Sequence, residues 1–144
     1  MALDVVIRHG RVVDGTGAPW VRADVGIADG RIVAVGNFDG ATAPTEIDAT
    51  GMVVAPGFID CHSHSDWSLL ANLGADSTLM QGVTTEVVGN CGMSYAPVTT
   101  LNEARLASDV ARTSPGVTIA WARFGEYLDH VRAGGIGANF ALQV

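Results

Sequence analysis

Over the first 55 residues the apolar side chains come in short bursts separated by glycine. LDVVIRHG and RVVDG are two such runs, rich in valine and each ended by glycine. ADVGIADGRIVAVG joins two β-prone runs through Asp29-Gly30, a pair suited to a type I′ turn, and so predicts a hairpin. FDGATAPTEIDATG reads as a looser polar connection. MVVAPG restarts the β pattern, and Pro56-Gly57 then punctuates the chain. The pattern predicts a small β domain over residues 1–55.

Across 56–144 the texture changes to strand and helix in alternation. GFIDCH is a strand candidate whose apolar residues should be buried, SLLANLGADSTLMQG a broken helix, and VTTEVVG a second strand. LNEARLASDVARTS sets Ala104, Ala107 and Ala111 beside Leu101 and Arg105 at helical spacing, with Asn102 as its cap. RFGEYLDHVRAGG gathers Phe124, Tyr127, Leu128 and Val131 on one helical face and stops at Gly134-Gly135. IGANFALQV begins a third strand. Strands separated by helices predict βα units and a parallel sheet. Because that third strand runs into Val144, leaving an open edge, the chain is expected to be the beginning of a larger α/β protein.

Composition narrows the function classes. With 48% hydrophobic and 16% charged residues in 144, the chain is globular. A net charge of -7 disfavours nucleic acid and anionic membrane as partners. All eight basic residues are arginine, so no lysine can supply a ligand or a Schiff base. Asp4 stands where a leader would be basic, and no apolar run reaches membrane-spanning length. A cytoplasmic protein is expected, with Cys61 and Cys91 as thiols rather than a disulfide. Nothing in the sequence speaks to oligomeric state.

The chemistry sits in PGFIDCHSHSDWSLL. The chain has four histidines, and His62 and His64 stand one residue apart just after an apolar run. Side chains two apart on a strand share a face, about 6.7 Å apart along the chain. The pair can therefore converge on one transition-metal ion, with Ser63 pointing away. Cys91, between glycines in GNCGMS, follows the second strand in the same way, and parallel strands would open both ends on one rim. The blander readings are a solvated histidine pair and a buried apolar cysteine. Asp60 could orient a ligating imidazole or close a turn. Cys61, alternating away from the histidines, is expected in the core. Asp66 and Trp67 are expected as a helix-capping aspartate and a packing tryptophan. His9 and His130 read as surface or packing residues. Ser65 and Ser94 lack a partner at nucleophile spacing, which leaves serine hydrolysis unsupported.

APGFIDCHSHSD resembles the first-strand motif of the metal-dependent amidohydrolase superfamily, and QGVTTEVVGNCGMSYAP resembles the second-strand region of the N-acyl-D-amino-acid deacylases. The opening DVVIRHGRVVDGTGAPWVRADVGIADGRIVAVG is also similar to that family. The resemblance implies an α/β fold: the N-terminal part of a small β-sandwich, followed by the first βα units of a (β/α)8 TIM-type barrel. It implies one or two Zn2+ ions, with His62, His64 and Cys91 as metal ligands. It further implies a small-molecule N-acyl-D-amino acid as substrate, cleaved to a carboxylate and a free D-amino acid. The catalytic aspartate of that family would lie beyond Val144, so no catalytic residue is assigned. Two alternatives stand beside this reading: a cyclic-amide hydrolase of the hydantoinase or dihydroorotase kind, and a truncated, non-catalytic metal-binding remnant.

Overall fold

The computed structural model describes residues 2–144, which fall into two compact units divided between Pro56 and Gly57. In the first, β1 (Val5–Val12), β2 (Val21–Ala28), β3 (Arg31–Gly36), β4 (Thr45–Asp48) and β5 (Val53–Val54) form one sheet. Its order is β3-β2-β1-β4, with β5 also paired to β1. The expected hairpin is β2–β3. Its turn residues Asp29 and Gly30 have φ of 51° and 68°, the two positive values that a type I′ turn requires.

Two expectations in this unit are corrected. LDVVIRHG and RVVDG are not separate runs: β1 continues through both, kinked by a register shift between Ile7 and Gly10. His9 takes φ 61° at this bulge, and its N–H donates to the Asp24 carboxylate at 2.8 Å. The polar connection FDGATAPTEIDATG contains β4, which pairs parallel to β1 with Ile7 opposite Ile47. Thr45–Asp48 is all exposed, so no alternation of buried and polar positions advertised it. It is fixed by the β1 ladder and by Arg8, whose guanidinium bonds Glu46 at 3.0 Å.

The second unit is built on a three-stranded parallel sheet, β6 (Phe58–Asp60), β7 (Val83–Val88) and β8 (Asn139–Leu142), in that order. Helices α1 (Asp66–Leu69) and α2 (Asp76–Leu79) lie between β6 and β7; α3 (Glu103–Thr113) and α4 (Phe124–Ala133) lie between β7 and β8. The helical crossovers are what a parallel sheet needs. Leu69, Leu106, Val110, Trp121, Tyr127 and Val131 make the core of this unit, each 4% exposed or less. Trp121 donates its indole N–H to the Tyr95 carbonyl at 2.8 Å, which satisfies the one polar atom it buries.

Helix α4 buries Tyr127 and Val131 and half-buries Phe124 and Leu128, as its spacing predicts. On α3 the expected face is wrong. Ala104, Ala107 and Ala111 are exposed and Leu101 is 96% exposed, whereas Leu106 and Val110 are buried. Two large aliphatics at i and i+4 remove more apolar area from water than three alanines. Asn102 does occupy the N-cap of α3. Its side chain turns back, accepting from Thr99 N–H at 2.7 Å and donating to the Pro97 carbonyl at 2.9 Å. Phe58 and Ile59, expected to be buried, are 61% and 67% exposed because β6 is an edge strand. Among the described residues no helix is long and apolar enough to cross a membrane.

Candidate metal centre

Strand β6 ends at Asp60, two residues before the histidine pair. His62 and His64 therefore converge from a turn, not from a strand face. Asp60 closes that turn by accepting the His62 N–H at 3.0 Å; it does not touch an imidazole. Cys61 lies in the same turn and is exposed, which corrects the expectation of a core thiol: alternation lapses where the strand ends. Ser63 points away from the histidines, as expected, with its hydroxyl on Glu86.

The second wall comes from the end of β7. Gly89, Cys91 and Gly92 all adopt positive φ, of 83°, 58° and 69°. Cys91 is the only one of the three that carries a Cβ, so its left-handed conformation is held against a steric cost of roughly 1–2 kcal/mol. Cys91 Sγ stands 3.6 Å from His62 Nε2, and the ring of His64 meets that of His62 edge-on at 5.6 Å. One donor atom from each of His62, His64 and Cys91 lies within 4.8 Å of the others, and all three residues are exposed.

Asp66, one turn on, is 2% exposed. Burial pushes its carboxyl up, against the pull of the Gly89 N–H, of His64, and of the Asp66 and Trp67 N–H groups. It is not the expected helix cap: Ser65 holds the N-cap of α1, and Asp66 is the first residue inside the helix. Trp67 packs on the core, with its ring 5.9 Å from that of His64 and the Arg112 guanidinium 5.5 Å above it. The His130 ring lies against that of Trp121, with centroids 4.9 Å apart and planes tilted by 44°, and His9 bonds the exposed Asp48.

The sequence pattern gave no notice of the residues behind the pair. Glu86, 2% exposed on β7, accepts the hydroxyls of Ser63 and Ser65, each at 2.7 Å. Asn90 donates to the carbonyls of Ser63 (3.0 Å) and Val87 (2.8 Å), and Ser63 N–H reaches the Val87 carbonyl at 3.0 Å. The available signal was a lone glutamate inside VTTEVV, since a carboxylate in a buried strand requires partners.

The donor set fits a divalent transition ion. An ion about 2.0–2.3 Å from nitrogen and sulfur in tetrahedral geometry needs donors roughly 3.3–3.6 Å apart. The His62–Cys91 separation of 3.6 Å already meets this, and the remaining donor separations are no more than 4.8 Å.

Residues 45–134 match the amidohydrolase family. The chain is 40% identical over 141 residues to the D-aminoacylase of Alcaligenes xylosoxydans xylosoxydans, an alignment covering 98% of this chain and 28% of that protein. A solved D-aminoacylase described by its binuclear metal centre superposes with a TM-score of 0.84 at 42% identity, covering 99% of this chain and 29% of the other. An N-acyl-D-glutamate deacylase from Bordetella bronchiseptica, complexed with zinc and a phosphonate mimic of the tetrahedral intermediate, gives 0.85 at 40% identity over 100% of this chain and 30% of the other. The chain thus spans under a third of the length of these relatives. Over that span it has the expected α/β architecture, part of a β-sandwich followed by the first βα units of the barrel.

Proposed function

The chain belongs to the amidohydrolase family, and from that premise we propose that it carries one wall of the metal centre of a hydrolase acting on N-acyl-D-amino acids, with His62, His64 and Cys91 as ligands. The observation that carries the proposal is the convergence of two imidazoles and a thiol, from the ends of two neighbouring parallel strands, within 4.8 Å. The relatives named for D-aminoacylase and N-acyl-D-glutamate deacylase activity, and the zinc and binuclear centre ascribed to two of them, support the substrate class and the metal.

Zinc bound here supplies Lewis acidity to the amide carbonyl and to the attacking water. The chain's own residues set the terms. Imidazole and thiolate select zinc, cobalt or iron over magnesium or calcium. Cys91 would bind as the thiolate, so metal binding releases its proton. As an anion it would lower the net charge of the centre. A cytoplasmic setting suits this reading, because two exposed thiols stay reduced there.

The test is zinc affinity of the full chain. Cys91→Ser should lower it at least tenfold, and His62→Ala should do the same, while His130→Ala should leave it unchanged. Equal affinity in Cys91→Ser and the parent chain would remove Cys91 from the centre.

A further inference from the structure

In HSHSD the side chains alternate: His62 and His64 face the rim, and Ser63 and Ser65 turn inward to one atom, Glu86 Oε1. We propose that Glu86 is a positioning residue that fixes this turn so that both imidazoles face Cys91, without itself touching metal or substrate. The proposal rests on the metal centre proposed above.

Three observations carry it. The two bonds to Glu86 are at 2.7 Å, a well-formed O–H···O length, and the two hydroxyls stand 3.0 Å apart. Ser63 and Ser65 flank His64, so holding both leaves the residue between them little freedom to rotate. Glu86 also belongs to the strand that leads into Cys91, so one element sets both walls of the centre. The Asn90 amide and the Ser63–Val87 backbone bond tie the same turn to the same strand end.

Among the described residues Glu86 Oε2 is buried without a hydrogen-bond partner, and no arginine or histidine pairs with it. An apolar residue here would remove the cost of burying that oxygen unpaired. What an apolar residue cannot supply is the acceptor for two hydroxyls. Beside Glu86 lies a cavity of about 30 Å³, lined also by Ser65, Asn72, Thr78 and Phe140. That is room for one water, or for the amide N–H of a glutamine to find a partner.

The test is Co2+ titration of the full chain, followed through the thiolate-to-cobalt absorption band. Glu86→Gln keeps the acceptor and should stay within about threefold of the parent, with the band intact. Glu86→Leu removes it and should lose affinity by about tenfold or more, as loss of groups that orient ligands does. Ser63→Ala/Ser65→Ala should reproduce that loss with Glu86 in place, and should add nothing on top of Glu86→Leu. In the metal-free chain, the imidazole resonances of His62 and His64 should move in Glu86→Leu and hold in Glu86→Gln. Parent-like cobalt binding by Glu86→Leu, or a melting temperature that falls while affinity holds, overturns the proposal. If Glu86→Leu does not fold, the serine double variant decides: a tenfold loss of affinity supports the proposal, and parent-like affinity overturns it. If the parent chain binds no cobalt, the metal reading fails, and the imidazole resonances alone decide whether Glu86 orients the pair.

Discussion

Cys91 Sγ and His62 Nε2 stand 3.6 Å apart although 29 residues separate them in sequence. The parallel pairing of β6 with β7 is the cause. Each strand hands its chain to the same rim, so residues just beyond two strand ends meet. Nothing local joins them, and anything that disturbs the end of β7 should be felt at the histidines.

Gly89 is the most exposed to such disturbance. Its φ is +83°, and a Cβ there would stand 2.5 Å from the Gln143 carbonyl oxygen. Gly92 has φ +69° with nothing within 4 Å. Gly92→Ala should therefore cost only the left-handed penalty, roughly 1–2 kcal/mol. Gly89→Ala should cost more, and should also weaken zinc binding by shifting Cys91. Urea unfolding of both variants checks the order, and equal costs would contradict it.

Tyr127 is 1% exposed and its hydroxyl has no partner among the described residues, while burial, then Asp66 and Tyr95, push its pKa up. Removing an unpaired buried hydroxyl returns its desolvation penalty. Tyr127→Phe should thus be neutral or stabilising by up to about 1 kcal/mol, and Tyr127→Ala destabilising by about 3–5 kcal/mol. Thermal unfolding measures both; a clear loss in Tyr127→Phe would reveal a partner for the hydroxyl.

In the N-terminal unit the pH dependence has a definite sign. Bonds from the Thr50 hydroxyl, His9 and the Thr50 N–H hold the Asp48 carboxyl down at about 2. Unfolded, it titrates near 3.9. A depressed folded pKa gives stability that is present above the unfolded value and lost as pH falls from about 4 to about 2. Asp48→Asn keeps an acceptor but no charge, so it should lose less stability than the parent chain between pH 6 and pH 2.5. Urea midpoints at the two pH values decide it.

The sequence made the strands of the second unit legible because β-branched runs and helical spacing alternate there. It picked out His62, His64 and Cys91, which converge in the structure, although the geometric reason it offered was inexact: the histidines lie past β6, in a turn that Asp60 closes. Strand β4 was illegible because all four residues are exposed and pairing with β1 decides the structure. The buried face of α3 was misplaced because alanine spacing competed with Leu106 and Val110, and only packing distinguishes them. Glu86 and its two serines escaped notice because their partnership spans 21 and 23 residues and appears in no local pattern.

The central claim is a zinc centre with sulfur in it. Zinc-edge X-ray absorption on the full chain, loaded with one equivalent of zinc, tests it most directly. The expected spectrum shows one sulfur at about 2.3 Å and nitrogen or oxygen at about 2.0–2.1 Å, with the sulfur shell absent in Cys91→Ser. A shell of nitrogen and oxygen alone in the parent chain, or a sulfur shell that survives in Cys91→Ser, would contradict it.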